Sequence, residues 1–195
     1  SLKFQDHVDF QCILVDDMSD DNTVDIIKKE IASDNRFVLV KNTSKKYALE
    51  NVVEAINESN PSDQDVIIIL DGDDWLSSTN VLSRLNEAYE KNNCLLTYGT
   101  YVQYPNGKKG IEPSQYPKEV IEKNMFREDR WRASHLKSFK YVLWKNLDIE
   151  DLKADMLDAF AQEGLTKGKP GQITPSDVVA TLEQTLKNFD QIDFE

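Results

Sequence analysis

Val66-Ile67-Ile68-Ile69-Leu70-Asp71-Gly72-Asp73-Asp74-Trp75 is the stretch that decides the fold. Five apolar residues run without a break and then give way to three acids within four positions. A continuous apolar run of strand length predicts a strand buried on both faces, as in a parallel sheet. The same pattern stands upstream, where Phe10 to Val15 ends abruptly in Asp16-Asp17. Between the two runs, Val24, Ile27 and Ile31 predict a helix over Thr23 to Ile31, and Arg36 to Val40 reads as another strand. Leu49, Val52, Val53 and Ile56 predict a helix over Tyr47 to Asn57, broken at Asn60-Pro61-Ser62-Asp63. Beyond the central stretch, Leu82, Leu85 and Tyr89 predict a helix over Val81 to Asn92. Cys94 to Tyr104 alternates as a strand does, and Pro105-Asn106-Gly107 signals a turn. Strands alternating with helices predict an α/β fold, a mainly parallel sheet with helices on both faces. In such sheets ligands bind at the carboxyl ends of strands, which is where both acidic clusters fall.

The whole chain has 195 residues, with 23 Lys+Arg against 35 Asp+Glu and a formal net charge of −12. That balance excludes a general nucleic-acid binder, which must neutralise phosphates, and excludes polybasic adhesion to anionic membrane. No apolar run reaches the length of a membrane span, and no secretory leader is visible, so a cytoplasmic location is expected. Cys12 and Cys94 lie in apolar runs and read as reduced core residues. The charge is unevenly placed. Residues 1–107 hold 9 basic and 19 acidic side chains, residues 108–145 hold 10 and 5, and residues 146–195 hold 4 and 11. A charge run is commonly a solvated face; the sharper alternative is that the acidic clusters grip a cation and the basic island faces an anionic ligand.

After residue 107 the pattern becomes irregular, basic and aromatic. Ala133 to Leu147 reads as wholly or partly helical. Asp148 caps an amphipathic helix to Gln162, and Thr174-Pro175-Ser176-Asp177 starts another. The expected organisation is therefore a domain over 1–147, with a nucleotide-binding part (1–107) and an acceptor-side part (108–147), followed by a helical tail over 148–195.

Asp71, Asp73 and Asp74 form the strongest chemical signal. Carboxylate oxygens suit hard divalent cations, here Mg²⁺ or Mn²⁺, and Gly72 leaves room for a turn or a close ligand approach. A strand-to-helix turn rich in capping Asp is the plainer alternative, but three acids exceed what a cap requires. Asp16-Asp17 is weaker by itself and gains weight from the second cluster.

Val15-Asp16-Asp17-Met18-Ser19-Asp20-Asp21-Asn22-Thr23 resembles the V-D-D-x-S-x-D-x-T segment of family 2 glycosyltransferases. Ile69-Leu70-Asp71-Gly72-Asp73-Asp74-Trp75-Leu76 is similar to their D-x-D motif. Gln5 to Phe10 resembles the short Q-x-Y-x-x-F lead-in, and Tyr47 to Ile56 the A-x-N-x-x-I helix between the motifs. The likeness covers about residues 1–147. It implies a GT-A fold and transfer of a sugar from a nucleoside diphosphate sugar, a UDP-sugar first among donors, to an unknown acceptor. It also implies that Asp17 holds the donor base by a ring N–H with Asp16 supporting it, that Asp73 meets the ribose or the metal, and that Asp73 or Asp74 meets the metal-bound diphosphate. Asp71 is the outer acid. Lys45 or Lys46 stands where the family places a basic residue near the base, although an exposed lysine is the commoner reading.

Trp131, Arg132 and His135 fall in the family's acceptor-side segment, where Trp131 could stack on a sugar and Arg132 could meet phosphate; a buried aromatic and solvated basics weigh equally. Two departures stand out. The expectation is that the family's opening strand and its usual C-terminal acceptor segment, with its catalytic acid, are not represented in this stretch of sequence. Glu150-Asp151 is the nearest counterpart of that general base. The tail also resembles an EF-hand over Phe160 to Leu182, but Thr166, Gly168 and Pro170 occupy the ligand positions, so calcium is not expected.

The resemblance implies metal-dependent, inverting glycosyl transfer; the acidic balance argues against a nucleic-acid partner, and a homo-oligomer is a further expectation. The alternatives are a catalytically incomplete fragment of the same fold, a receiver-type signalling domain, and an aspartyl-phosphate phosphatase. The last two are disfavoured by the residues after Asp71, notably Trp75.

Overall fold

The computed structural model describes residues 1–110, 114–123, 125–126, 128–130, 132 and 134–147. Expectations that fall on Trp131, Glu150, Asp151 and the 148–195 tail lie outside the described residues. The chain divides into two compact units. The first takes Ser1–Thr97 and Ser138–Tyr141; the second takes Tyr98–Lys137 and resumes at Val142. Among the described residues no helix is long and apolar enough to cross a membrane.

The first unit opens with a 3-10 turn at Leu2–Phe4, then β1 (Cys12–Asp16), α1 (Thr23–Ile31), β2 (Phe37–Lys41), α2 (Tyr47–Ser59), β3 (Val66–Ile69) and α3 (Val81–Asn92). β1 and β2 pair in parallel from Cys12↔Phe37 to Asp16↔Lys41, joined by a helical crossover as parallel strands require. α2 buries Leu49, Val53 and Ile56, a stripe at helical spacing, while α3 buries Leu82 and Tyr89. α2 and α3 both stop at an asparagine in the left-handed region, Asn60 and Asn93, each with φ 48°. Cys12 and Cys94 are free thiols, and burial pushes Cys12 up to about 11.

The N-terminal segment is tied down by side chains. Gln5, only 5% exposed, donates to the Ser78 carbonyl (2.7 Å) and accepts from Leu82 N (3.1 Å), so it caps α3 from a distance. Asp6 N donates to Thr79 O. The Arg36 guanidinium pairs with Asp34, lies over the Phe10 ring at 4.7 Å and reaches the Lys3 carbonyl.

β4 (Leu96–Gly99) and β5 (Ser134–Lys140) complete a second sheet in the order β3-β5-β4. The expected single sheet is thus two sheets among the described residues, because β1 pairs with β2 and β3 pairs with β5. Among the described residues β3 stands at one end of its sheet, and its four residues are half-buried rather than buried on both faces.

The predicted strand over 94–104 is shorter. It stops at Gly99, and the chain then folds back on itself: Gly110 N donates to Tyr101 O, Gln103 N to Lys108 O, and Val102 bridges Lys109 antiparallel. Gly99 is required by close packing, since a Cβ there would lie 2.9 Å from the His135 carbonyl oxygen. The predicted helix over 133–147 is instead mostly β5, with only Tyr141–Lys145 helical as α5. The strand is imposed from elsewhere in the chain. Ser138, with no exposed surface, shares its hydroxyl with Tyr89 (2.9 Å) and Thr97 (2.7 Å), and Lys140 N donates to Leu95 O. In the second unit a short α4 (Lys118–Glu122) leads to a run of edge-to-face rings, Tyr98 on Tyr116 and Tyr116 on Phe126.

Candidate functional site

Each acidic cluster lies at the carboxyl end of a strand, as expected. Asp16 is the last residue of β1 and is 3% exposed. Its Oδ1 accepts from Ser19 N at 3.3 Å, while Oδ2 is buried with no hydrogen-bond partner among the described residues. Its carbonyl accepts from Asn42 N at the end of β2.

Asp17 is the best-held side chain of the site. Oδ1 accepts from Asn42 Nδ2 (2.8 Å) and Lys46 N (2.9 Å), and Oδ2 from Tyr47 N (2.9 Å). Lys45 Nζ stands 3.4 Å from Oδ2 and donates to the Asp17 carbonyl at 2.9 Å. A carboxylate has about four lone-pair sites, so protein donors already use three and the fourth lies on the Lys45 side. Burial pushes the Asp17 pKa up, but hydrogen bonds from Lys46 N, Asn42 and Tyr47 N, with the Asn51 amide close by, outweigh it and hold the carboxyl well below the usual range. Lys46 is the cap residue of α2 and makes no side-chain cap of its own, and Tyr47 is the first residue of the helix. Asp17 is therefore the N-terminal cap of a helix about thirty positions away, favoured also by the helix dipole. Met18 (φ 66°) and Tyr47 (φ 63°), both in the left-handed region, flank this contact.

Of the two lysines, Lys45 meets Asp17, whereas Lys46 turns its ammonium to Glu54. Asn42 and Asn51 carry no weight in the sequence reading, yet Asn42, 6% exposed, joins the Asp17 carboxylate to Asn51 Oδ1 (2.7 Å). The available signal was Asn51 itself, the one asparagine in the Tyr47 to Ile56 stretch likened to the A-x-N-x-x-I helix.

Beyond β3 the backbone turns, with Asp74 N donating to Asp71 O at 3.1 Å. This turn brings a carboxylate oxygen of Asp71 within 4.8 Å of one on Asp74. Asp71 is half-buried; Asp73 and Asp74 are exposed, and Asp73 does not complete a three-carboxylate group with the other two. Two carboxylates at that separation fit a hard cation such as Mg²⁺ or Mn²⁺. A Cβ on Gly72 would meet nothing within 4 Å, so neither packing nor the backbone of this chain demands glycine there.

In the second unit Arg132 is committed internally. Its Nε and one terminal nitrogen bind the Asp129 carboxylate, the other donates to Ser114 Oγ (2.8 Å), and the guanidinium lies 5.9 Å from the Tyr116 ring centre. His135 is half-buried and meets Tyr101 edge to face at 5.5 Å. Part of the basic island is neutralised locally: Lys118 pairs with Glu122, Lys123 with Glu119 and Arg132 with Asp129. The two lysine pairs are exposed on both partners and support the plain reading of the island as a solvated face, whereas the Arg132 pair is shielded.

No curated protein matches the chain. The family model described as glycosyl transferase family 2 does match it, over residues 1–145, and the chain belongs to that family.

Proposed function

We propose that the chain transfers a sugar from a nucleoside diphosphate sugar, a UDP-sugar first among donors, to an acceptor hydroxyl with inversion at the anomeric carbon, within a GT-A arrangement. The observation that carries this reading is the turn after β3, which holds the Asp71 and Asp74 carboxylates within 4.8 Å in a chain of family 2. Asp17 accepts a ring N–H of the donor base on its Lys45 side, and Asp73, exposed beside the pair, meets the ribose. Asp71 and Asp74 would hold a Mg²⁺ or Mn²⁺ ion. When bound, such an ion offsets the negative charge that grows on the departing diphosphate. A carboxylate of Glu150 or Asp151 takes the acceptor proton, and Trp131, Arg132 and His135 belong to the acceptor side. The cytoplasm and a homo-oligomeric state are part of the same proposal. Family membership displaces the receiver and phosphatase alternatives.

Thermal melting of the chain with Mn²⁺ and, in turn, UDP, GDP or CDP tests the reading. Binding at a hundredfold excess over Kd adds about 2.7 kcal/mol of stability. A stabilisation that requires both Mn²⁺ and one nucleotide, and that is lost in the D71A/D74A variant, is expected. A shift that survives in that variant refutes the metal assignment.

A further inference from the structure

We propose that Asn42 is a positioning residue for the Asp17 carboxylate, and that Asn51 fixes Asn42 in turn. The inference rests on the reading of Asp17 as the acceptor for the donor base.

Three elements meet at Asn42. Its backbone N donates to the Asp16 carbonyl at the end of β1. Its side-chain amide, on a residue 6% exposed, donates to Asp17 Oδ1 at 2.8 Å and to Asn51 Oδ1 at 2.7 Å. An amide nitrogen has two hydrogens, and both are spent here on acceptors. The carboxylate takes its other protein hydrogen bonds from the first amides of α2, Lys46 N and Tyr47 N. Donors from the β2 side and from the helix side together fix the plane of the carboxyl group. Rotation about its terminal bond is otherwise soft, because such sp³–sp² torsions have broad minima.

Asn51 does a separate job. A side-chain amide can turn over and present oxygen in place of nitrogen. Oxygen facing the Asp17 carboxylate would be repelled, and the Asn51 oxygen gives the Asn42 nitrogen a second acceptor, which selects the productive sense. Asn51 lies on α2, the same helix whose first amides bind Asp17, so the circuit from β1 through β2 to α2 closes on one carboxylate. Its effect on a nucleotide would pass through Asp17, by way of Asn42 and of the Asn51 amide's own approach to that carboxylate.

The test uses the whole chain, Mn²⁺ with UDP, GDP and CDP as probes, calorimetric titration for affinity and the melting temperature without nucleotide as the folding control. N51A removes the acceptor and is expected to weaken nucleotide binding about tenfold with little change in melting. N51D keeps an acceptor for Asn42 but sets a second carboxylate near Asp17, so it is expected to recover part of the affinity that N51A loses. N42A is expected to weaken binding at least as much as N51A; should it fail to fold, the N51A and N51D pair still decides. A wild type that binds a nucleotide while N51A and N51D both match it overturns the positioning alone. A wild type that binds none of the three overturns the donor-base reading, and the proposal with it.

Discussion

Replacing Asp17 by alanine removes a capping carboxylate from a helix to which no short stretch of sequence connects it. Lys46 N and Tyr47 N, both 2.9 Å from the carboxylate, lose their acceptor. Loss of an N-terminal cap costs about 1 kcal/mol. The Asn42 amide, on a residue 6% exposed, loses one of its two acceptors, which adds about 1–2 kcal/mol. The Lys45 pair adds little, since its lysine side chain is 55% exposed. The expected loss is about 2–3 kcal/mol, or a fall in melting temperature of about 5–10 °C for a chain of this size.

Urea unfolding and thermal scans of D17A against wild type, without nucleotide, measure it. The pH dependence carries a second signature. The carboxyl of Asp17 is held below its ordinary value in the folded chain, so the unfolded chain binds the proton more readily. The stabilisation is therefore complete above the unfolded value near pH 4 and is lost as pH falls through the folded value. Wild type should lose stability on acidification below about pH 4 more steeply than D17A does. A D17A loss below about 0.5 kcal/mol, or parallel acid limbs, would show that the capping geometry carries no stability.

Two further outcomes follow from the same unit. Q5A should cost about 1–2 kcal/mol and raise amide exchange at Leu82, because Gln5 holds the start of α3 through Ser78 O and Leu82 N. S138A should cost about 1–3 kcal/mol, and a cycle with Y89F should be non-additive, because both act on the buried hydroxyl trio of Tyr89, Thr97 and Ser138; additive urea-unfolding values would contradict a shared network.

Local chemistry explains which parts of the fold could be read in advance. The helices Thr23–Ile31 and Val81–Asn92 fall where apolar spacing puts them, and β1 and β3 each run into their acids as the abrupt change of residue type implies. β5 could not be read in this way. Ser-His-Leu-Lys-Ser-Phe-Lys has no β-branched residue, and its strand state depends on Ser138 meeting Tyr89 and Thr97, 49 and 41 positions away. Within the site, the carboxylates were legible as a motif. Their partners were not, because the donors to Asp17 lie 25, 29 and 30 positions along the chain. The pairing of Arg132 was hidden for the opposite reason. Its partner Asp129 is only three positions away, and a basic residue among basics conceals how fully it is paired.

The double use of Asp17 governs how its function can be probed. One carboxylate caps α2 and, in the proposed reaction, accepts a hydrogen bond from the donor base. D17A would therefore reduce nucleotide affinity even if the base never touched Asp17, since the loop from Lys45 to Tyr47 depends on that cap. Loss of binding in D17A alone is thus uninformative about recognition. Asn51 separates the two roles better, because its side chain supplies no cap to α2 and acts on the Asp17 carboxylate through Asn42 and its own amide. A graded change of affinity across N51A and N51D at constant melting temperature would report on the aim of the carboxylate rather than on the survival of the helix it caps.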